Sequence, residues 1–322
     1  MAHWKRLLMK ERQSKLNIVF MGTPDFSVPT LQRLYDDKDI NVSYVVTKVD
    51  SKSSRGQKIS FSDVKKKALE LGIPILQPAK IKEDKEVISK IKEVKPDFII
   101  VVAYGQILSQ EILDIPKYAS INGHASLLPK YRGASPIQSA ILNGDKITGT
   151  TSMLMDVGLD TGNILEQNKI EIGDKETSDS LFEKLSYLTA DTIYHTIKNF
   201  NSIKSVKQDE SKATKSAIIK KEYGLINFSN ETKSSVDRKI RAYTSWPSAY
   251  VEDNEIKYKI WDVDIVDTNI DLSNAKRFLD DIYIINDSMY AKCIDGYLRI
   301  NELQKSGKNR MKAKDFINGF MH

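Results

Sequence analysis

The sequence predicts an α/β protein: a doubly wound domain with a mostly parallel sheet, followed by a smaller β-barrel domain. Short apolar runs such as Asp97–Ala103 alternate with helical patterns such as Glu86–Val94, which is typical of parallel strands buried on both faces. After Gly224 the pattern changes to short strands. A chain of 322 residues exceeds the usual size of one compact core, so one large or two ordinary domains are expected.

Two predicted elements of the first domain end at residues that favour a turn. The first strand, Asn17–Met21, stops at Gly22-Thr23-Pro24, and the helical pattern Val64–Leu71 ends at Gly72. The other predicted strands are Asn41–Thr47, Pro74–Leu76, Asp97–Ala103, Thr148–Met155 and Ile164–Ile172, and the other helices are the pattern from Val28 to Leu34, Glu86–Val94, Ile137–Asn143 and Ser180–Asn199. Ser51–Lys58 is polar and is predicted to be a mobile loop.

The second domain is predicted to be all-β. Its predicted strands are Tyr258–Ile265, Ile282–Ile285, Tyr290–Ile294 and Tyr297–Ile300. The polar, Lys-rich segment Asn201–Lys221 is the best candidate for a linker. The domains are therefore placed at residues 17–203 and 223–322, with a linker over residues 204–222 and a basic extension over residues 1–16.

The N-terminal extension bears on the compartment. Its sixteen residues contain five Lys and Arg residues and one Glu, with apolar residues between them. Targeting peptides are basic and amphipathic in this way, but this segment is short, has few Ser and lacks a long apolar stretch. A mistaken start or a frayed tail is the favoured explanation. The predicted compartment is the cytoplasm, and an organelle is the alternative if the segment is a presequence.

Composition and motifs exclude several classes of protein. No stretch approaches the roughly 20 apolar residues that span a bilayer, so no membrane contact is predicted. The single cysteine, Cys293, excludes an internal disulfide and a Cys-based metal cluster, and no metal is predicted. The net charge of +6 is compatible with a polyanionic partner but is common in Lys-rich soluble proteins. NAD and ATP are weak candidates, because Gly22–Phe26 has one of the three fingerprint glycines and a Walker A sequence is absent.

Histidine is scarce, and His124 has the position that most suggests chemistry. His3 and His322 lie at the termini, and His195 lies on the predicted long helix, where a partly buried packing role is favoured. His124 lies where a strand opens into a Pro/Gly-rich loop, and ligands of open α/β sheets bind at the carboxyl ends of strands. Asn122 would project on the same side. From position alone, a hydrogen-bonded histidine beside a turn-forming asparagine explains the pair equally well.

A second loop, Met155–Gly162, adds two carboxylates and two glycines in eight residues. A tight turn is one explanation, since Asp and Gly dominate turns. The alternative is that Asp160 lies near His124, fixes the imidazole and stabilises its charged form. Asn122, His124 and Asp160 together could place an oxyanion donor, a proton carrier and an orienting carboxylate around a carbonyl carbon.

This triad lacks an evident nucleophile. Cys293 lies far away in the β-rich segment, and the sequence has no G-x-S-x-G elbow. Direct attack by a nucleophile of the substrate is therefore predicted rather than a covalent enzyme intermediate.

At these motifs the sequence resembles the 10-formyltetrahydrofolate-dependent formyltransferases, and within them the group that formylates methionyl-tRNA. The resemblance runs from about residue 16 to the C terminus and rests on Asn17–Phe26, Val101–Leu108 (VVAYGQIL), Ile121–Ile137 (INGHASLLPKYRGASPI) and Met155–Gly162 (MDVGLDTG). It implies a Rossmann-like formyltransferase domain followed by an OB-like barrel, with catalytic roles for Asn122, His124 and Asp160. It also implies 10-formyltetrahydrofolate as the formyl donor, contacted by Ser126, Leu127, Leu128 and Pro129, with Val101, Tyr104, Gly105 and Asp156 around the pterin.

The C-terminal half separates the formyltransferase subtypes. Thr244–Ala249 (TSWPSA), preceded by Arg238–Ala242 (RKIRA), resembles the opening of the second domain in the tRNA-formylating group. The resemblance implies that the α-amine of methionyl-initiator-tRNA attacks the formyl carbon, for translation initiation. The enzyme is predicted to be a monomer.

The predicted tRNA surface is a local patch, because residues 203–322 hold 21 Lys and Arg against 18 Asp and Glu. A solvated face is the other explanation for any single residue of such a patch. The predicted tRNA contacts are Arg55, Lys58, Lys220, Lys221, Arg238 and Arg241.

Three rival functions and three departures from the family pattern stay open at this point. The rivals are transfer to a nucleotide-linked sugar amine, hydrolysis of formyl-folate, and a folate- or RNA-binding protein with an idle site. Gly123 stands where the family usually has Val, which could loosen the strand that carries the triad. Thr244-Ser245-Trp246 lacks a common proline, and Val49–Lys58 lacks the expected prolines and one glycine.

Overall fold

The computed structural model describes residues 15–52 and 59–320, which form two compact units. The first unit contains the described residues up to Arg132 together with Gly149–Lys169 and Glu183–Thr214. The second contains Gly133–Thr148, Ile170–Phe182 and the described residues from Lys215 onward. The boundaries proposed from the sequence, at residues 203 and 223, stay predictions.

The first part of the chain alternates strands and helices. The strands are β1 (Leu16–Gly22), β2 (Ile40–Val46), β3 (Ser51–Lys52), β4 (Ile59–Ser60), β5 (Ile75–Leu76), β6 (Phe98–Val102), β7 (Ala119–His124), β8 (Arg132–Gly133), β9 (Ile147–Leu154), β10 (Ile164–Glu171) and β11 (Lys215–Ser216). The α-helices are α1 (Val28–Tyr35), α2 (Asp63–Glu70), α3 (Lys85–Glu93), α4 (Gln110–Leu113), α5 (Pro136–Leu142) and α6 (Ser178–Lys198). Each strand and helix predicted for this part is confirmed, with ends that differ by at most two residues.

Seven of these strands form one central sheet in the order β10-β9-β7-β6-β1-β2-β5. The pairs β1–β2, β1–β6, β6–β7 and β2–β5 are parallel, whereas β7 and β9 are antiparallel. All five residues of β6 are buried, as expected for an interior strand covered on both faces. The predicted mostly parallel sheet is confirmed.

The strand order changes direction at β1, which lies between β2 and β6. In open α/β sheets, ligands bind in the crevice outside the carboxyl ends of the strands at such a switch point. The loops after β1, β6 and β7 therefore border the place where a ligand is expected.

The predicted mobile loop Ser51–Lys58 is only partly described. Its first two residues form β3, which pairs in antiparallel fashion with β4. Residues 53–58 lie outside the described residues. The two described residues of this loop therefore belong to a short strand pair rather than to irregular chain.

The second unit contains one antiparallel sheet of seven strands. They are β12 (Tyr250–Asp253), β13 (Ile256–Val266), β14 (Lys276–Leu279), β15 (Ile282–Ile285), β16 (Ser288–Cys293), β17 (Gly296–Lys305) and β18 (Met311–Lys312). The order is β12-β13-β17-β16-β15-β14, with β18 paired to β17. This half-barrel agrees with the predicted barrel-like domain and adds β12, β14 and β18.

The prediction that the C-terminal domain is all-β is wrong, because two helices accompany the sheet. They are α7 (Lys233–Ala242) and α8 (Ala313–Phe320). The hydroxyl of Thr232 caps α7 by accepting a hydrogen bond from the amide of Ser235 at 3.1 Å. Val236 and Ile240 of α7 are buried in the same apolar cluster as the sheet. In the described part of the chain, no helix combines the length and apolar character needed to cross a membrane.

Candidate active site

The predicted catalytic pair lies at the carboxyl end of β7, inside the central sheet. Asn122 is paired with Val101 of β6 and with Met153 of β9, and His124 is the last residue of the strand. Alternate residues of a strand project from the same face, so Asn122 and His124 share one face of the sheet. The register therefore places the pair where the sequence predicts it, while the catalytic roles stay predictions.

Asp160 reaches both side chains from the loop after β9. Its Oδ1 accepts a hydrogen bond from Asn122 Nδ2 at 3.3 Å, and its Oδ2 lies 3.7 Å from His124 Nδ1. The side chains of His124 and Asp160 are only 8% and 11% exposed. Both contacts are longer than a well-formed charge-assisted hydrogen bond, which measures about 2.7–2.9 Å. The three polar groups therefore lie close to one another, but the contacts between them are long.

The second ring nitrogen of His124 fixes the imidazole. Nε2 lies 2.9 Å from the carbonyl oxygen of Tyr131. A carbonyl oxygen can only accept, so Nε2 carries a hydrogen. In the neutral ring, Nδ1 then has a lone pair that faces Asp160, and in the charged ring it has an N–H. Nδ1 is therefore the nitrogen through which His124 can pass a proton.

The loop that carries Asp160 is a tight turn, and the same loop also brings Asp160 close to His124. Asp156 Oδ1 accepts hydrogen bonds from the amide of Gly158 at 3.0 Å and from the hydroxyl of Thr161 at 2.7 Å. A Cβ at Gly162 would lie 1.8 Å from the last carbonyl oxygen of β9, which explains the glycine. Asp160 has a φ of +55°, in the left-handed region that non-glycine residues rarely adopt.

Gly123 does not loosen the strand, contrary to expectation. Its ladder partners on β6 and β9 are both in place. A Cβ at Gly123 would lie 2.7 Å from Thr189 Cγ2 and 3.2 Å from Ile193 Cγ1. Helix α6 therefore occupies the space that a larger residue would need and packs directly on β7.

The predicted folate-contacting segment follows β7 and is held by hydrogen bonds to Thr151 of β9. Thr151 Oγ1 donates to the carbonyl oxygen of Ser126 at 2.6 Å and lies 3.1 Å from the amide nitrogen of Leu128. Ser126 and Leu128 are buried, whereas Leu127 and Pro129 are half-buried. The accessible members of the segment are therefore Leu127 and Pro129.

Two other predicted pocket residues, Val101 and Tyr104, pack into the apolar core of the first unit. The Tyr104 hydroxyl has no hydrogen-bond partner among the described residues, and its burial raises its pKa. Thr23 Oγ1 donates to the Tyr104 carbonyl oxygen at 2.9 Å and so connects the loops after β1 and β6. Gly105 has a φ of +78°, and a Cβ there would lie 2.7 Å from Lys48 Nζ. At this strand end, the backbone of Tyr104 contacts the loop after β1, whereas the side chains of Val101 and Tyr104 lie in the core.

Of the four predicted tRNA contacts in the loop and the linker, the structure describes two, Lys220 and Lys221. Arg55 and Lys58 lie outside the described residues. Lys220 and Lys221 are exposed, and neither forms an ion pair with any residue that the structure describes. These two lysines are therefore available to an anionic partner.

The two predicted arginines have partners within the second unit. Arg238 Nε donates to the carbonyl oxygen of Leu142 at 2.9 Å. Arg241 pairs with Asp237 at 2.9 Å and donates to the carbonyl oxygen of Glu176 at 3.0 Å. These bonds give Arg238 and Arg241 a structural explanation.

The remaining reactive residues do not form a second site. Burial raises the pKa of the Cys293 thiol to about 12, so it stays protonated at neutral pH. His195 is exposed and pairs with Glu166 at 2.8 Å, so the packing role predicted for it is wrong. Within residues 15–52 and 59–320, no group of three or more His, Cys, Asp or Glu residues could hold a metal ion.

Sequence reasoning missed three polar residues next to the site, Arg132, Gln208 and Thr214. Gln208 donates to the carbonyl oxygens of Asp160 and Gly162. Arg132 donates to Gln208 through its side chain and to the Thr214 carbonyl oxygen through its amide. Gln208 and Thr214 lie in the segment predicted to be a linker, and their partners are mostly backbone atoms. A backbone carbonyl is present at every position, so the sequence has no signal that marks such contacts.

Comparison with known proteins gives two family matches. Residues 16–197 match the model described as formyl transferase, and residues 218–321 match the model described as formyl transferase, C-terminal domain. The chain is similar to the methionyl-tRNA formyltransferase of Ruminiclostridium cellulolyticum, with 42% identity over 94% of this chain and 96% of that protein. It is also similar to the methionyl-tRNA formyltransferase of Geobacter metallireducens, with 42% identity and the same coverage of 94% and 96%.

Solved structures share the fold at lower identity. An N-formyltransferase from Helicobacter canadensis, in complex with folinic acid and dTDP-3-aminofucose, has a TM-score of 0.63 and 21% identity over 90% of this chain and 99% of that chain. HypX from Aquifex aeolicus, in complex with tetrahydrofolic acid, has a TM-score of 0.59 and 15% identity over 94% of this chain and 47% of that chain. At these identities the likeness supports the fold alone.

Proposed function

The chain belongs to the formyl transferase family, and from this premise we propose that it transfers the formyl group of 10-formyltetrahydrofolate to the α-amine of methionyl-initiator-tRNA. The observation that carries the proposal is the meeting of Asn122, His124 and Asp160 at the carboxyl end of β7. The acceptor is inferred from the relatives, which are named for methionyl-tRNA and match nearly the whole chain.

The reaction that this site would carry is a direct acyl transfer. The amine nitrogen attacks the formyl carbon, and the new N–C bond forms as the bond between that carbon and N10 of the folate breaks. The formyl oxygen gains negative charge during attack, the amine loses a proton, and N10 gains one. The site must therefore stabilise an oxyanion and carry a proton.

Asn122 is placed to stabilise the oxyanion. Its amide nitrogen has two N–H groups, of which one is directed at Asp160 Oδ1 and the other can donate to the substrate. The ladder on both sides of β7 holds the residue in place before substrate binds. A donor that is already oriented costs no reorganisation when the charge develops.

His124 and Asp160 are placed to move the proton. Because Nε2 is held by Tyr131, the proton passes through Nδ1, which faces Asp160. The Asp160 carboxylate is proposed to orient the imidazole and to assist removal of the proton from the amine. The 3.7 Å separation is longer than a hydrogen bond. Catalytic contacts of this kind commonly tighten only when the substrates bind.

The folate is proposed to occupy the crevice at the carboxyl ends of β1, β6 and β7. Three aliphatic side chains in the loops that follow β6 and β9 are unusually exposed: Ile107 at 78%, Val157 at 67% and Leu159 at 66%. Aliphatic side chains next to convergent polar groups suit a flat ring system with apolar faces. We assign Leu127 and Pro129 the direct contacts, and Val101 and Tyr104 a supporting position in the core.

The tRNA is proposed to contact Lys220 and Lys221 through its phosphates. Both are exposed and lack an ion pair among the described residues, whereas Arg238 and Arg241 already have partners. We therefore assign no phosphate contact to the two arginines. Arg55 and Lys58 stay predicted contacts.

One assay separates this function from its rivals. The protein is incubated with 10-formyltetrahydrofolate and methionyl-initiator-tRNA, and in parallel with a nucleotide-linked amino sugar in place of the tRNA. The proposal expects formyl-methionyl-tRNA in the first reaction and no formylated sugar in the second. The opposite pattern, or formate release without any acceptor, would overturn it. A sample purified in the same way from cells that do not express this chain is the control for contaminating activity.

We also propose that the enzyme acts as a monomer in the cytoplasm, where charged initiator tRNA is used. The chain has a mass of 36.6 kDa. Light scattering on the protein as it elutes from a size-exclusion column should give a molar mass equal to that of one chain. A molar mass twice as large would contradict the monomer.

A further inference from the structure

Residues 206–214, which lie within the predicted linker of residues 204–222, contact both loops of the proposed active site. At its start, Val206 and Ile164 exchange two backbone hydrogen bonds of 2.8 Å each, which attach the segment to β10. At its end, Thr214 contacts the loop after β7. Between them, Gln208 is only 4% exposed. A polar side chain buried to this extent needs hydrogen-bond partners, and its partners belong to the site.

Gln208 holds the loop that carries Asp160. Its Nε2 donates to the carbonyl oxygen of Asp160 at 2.8 Å and to that of Gly162 at 2.7 Å. Asp160 has a left-handed φ of +55°, which costs free energy and persists only where the surroundings hold it. The two hydrogen bonds fix the backbone at that residue and two positions beyond it. The direction of the Asp160 carboxylate depends on this backbone.

Arg132 sets the orientation of the Gln208 amide. Its Nε and Nη2 donate to Gln208 Oε1 at 3.0 and 2.8 Å, so the amide oxygen faces the guanidinium and the amide nitrogen faces the loop. The reverse orientation would place N–H groups against N–H groups. Glu210 accepts from Nη1 and Nη2 of the same arginine at 2.8 and 2.7 Å. Arg132 is therefore held by two residues of the segment.

Thr214 holds the other loop. Its Oγ1 accepts a hydrogen bond from the amide of Tyr131 at 2.8 Å, and its carbonyl oxygen accepts one from the amide of Arg132 at 2.9 Å. Tyr131 also has a left-handed φ, of +58°, and its carbonyl oxygen is the partner of His124 Nε2. The segment thus fixes both strained residues that contact the two nitrogens of the imidazole.

We propose that residues 206–214 are a positioning element of the active site, in which Gln208 holds Asp160 and Thr214 holds Tyr131 on either side of His124. The inference rests on the proposed function and names residues that act through others rather than on substrate. Misplacing a catalytic group by about 1 Å can cost on the order of 10²-fold in rate. We expect Gln208→Ala to lower kcat by about 10- to 100-fold while KM for both substrates stays unchanged.

Conservative variants separate positioning from packing. Gln208→Glu can still accept from Arg132 but cannot donate to the two loop carbonyls, so kcat should fall at least as far as in Gln208→Ala. Gln304→Ala is the matched control, because Gln304 Nε2 also donates to a backbone carbonyl oxygen, that of Lys308 at 2.8 Å, but lies in the second unit, and its kcat should be unchanged. Thr214→Ser keeps the hydroxyl and should retain turnover, whereas Thr214→Val should lose it.

The deciding test is a double-mutant cycle with Asp160→Asn, measured by single-turnover formyl transfer. Asn is tolerated in the left-handed region and keeps the shape of the side chain. If Gln208 acts through the Asp160 carboxylate, Gln208→Ala should cost little further rate in the Asp160→Asn background. An equal fold-loss in both backgrounds, or normal turnover in folded Gln208→Ala, would overturn the proposal.

Two further measurements keep the test decisive. If thermal unfolding shows that Gln208→Ala does not fold at the assay temperature, Gln208→Glu takes its place in the cycle with the same expected outcome. Normal turnover in Asp160→Asn alone would count against the proposed function itself. The failure of the proposed function and the failure of the positioning element therefore give different results.

Discussion

Two carboxylates show how differently the two compact units use their polar groups. Asp160 of the first unit has a side chain that is 11% exposed, and it approaches the polar side chains of β7 at 3.3 and 3.7 Å. Asp264, on β13 of the second unit, is 39% exposed and accepts hydrogen bonds from Arg299 at 2.8 Å, Asn301 at 2.9 Å and Lys175 at 3.0 Å. The contacts of Asp160 with Asn122 and His124 are thus longer than those of Asp264 with its three donors.

The two carboxylates differ in their hydrogen-bond partners, and we propose a catalytic role for Asp160 alone. Hydrogen bonds from Asn301, Arg299 and Lys175 hold the pKa of Asp264 well below its usual range, so the carboxylate stays charged and contributes to stability. Asp160 lies 3.7 Å from His124 Nδ1, the nitrogen that is proposed to carry the transferred proton. The contacts of Asp160 with Asn122 and His124, rather than burial alone, distinguish the proposed catalytic carboxylate from the structural one.

The comparison predicts its largest effects at β7. Asn122→Ala and His124→Ala should each lower kcat by about 10²–10³-fold, because each removes a group directed at the developing charge or the transferred proton. Their melting temperatures should stay close to that of the unsubstituted protein. Steady-state formylation of methionyl-tRNA and thermal unfolding measure both quantities. Near-normal turnover in a folded His124→Ala protein would show that the assignment is wrong.

Gly123 should show the opposite pattern, a loss of stability. A new Cβ would lie 2.7 Å from Thr189 Cγ2, so Gly123→Ala should destabilise the protein by about 1–3 kcal/mol through overpacking. Thr189→Ser removes that methyl group and keeps the hydroxyl that lies 2.9 Å from Thr150 Oγ1. The double variant should recover part of the lost free energy of unfolding, as measured in urea. Equal stability of Gly123→Ala and the unsubstituted protein would contradict the tight packing of α6 on β7.

Asp264→Asn should reduce stability by about 1 kcal/mol at neutral pH, a modest value because the side chain is partly exposed to solvent. The folded-state pKa of Asp264 is lowered, so its contribution is present above the unfolded-state pKa of about 3.9 and is lost as pH falls below it. The difference in free energy of unfolding between the two proteins should therefore shrink toward acid pH. A difference that grows on acidification would contradict the assigned direction of the shift.

The smallest expected effects lie at Lys220 and Lys221. Replacing either by Ala should weaken tRNA binding a few-fold and lower the slope of log affinity against log salt by about one. The kcat at saturating tRNA should not change, because neither residue lies near the triad in the sequence or contacts it. Lys82→Ala, at an exposed lysine of the first unit, is the matched control. An unchanged salt slope in both Lys220→Ala and Lys221→Ala would remove them from the tRNA surface.

The central sheet and the triad could be predicted because their signals are local. The strand β6 is an unbroken apolar run, and a strand buried on both faces requires such a run. His124 and Asn122 could be singled out because histidine is scarce and the strand end is a common ligand position. The distances that join Asp160 to them required the structure, since they depend on how the loop after β9 folds.

Other elements could not be predicted, for identifiable reasons. The helix α7 has two large aliphatic residues that are buried, Val236 and Ile240, and most of its other residues are polar or charged. Two apolar positions are too few to show a helical period in the sequence. The hydrogen bonds of Arg238 and Arg241 to carbonyl oxygens could not be predicted, because charge alone does not reveal which backbone atoms a guanidinium contacts. Gln208 was missed because its donors are directed at backbone carbonyls, which no residue type marks.

The most direct test of the contrast between the two carboxylates is single-turnover formyl transfer by Asp160→Asn and Asp264→Asn, compared at one temperature. The contrast predicts that Asp160→Asn loses about 10²–10⁴-fold in rate at an unchanged unfolding midpoint. Asp264→Asn should keep its rate at a lowered midpoint. Normal transfer by a folded Asp160→Asn protein would contradict the assignment of catalysis to the cluster at the end of β7.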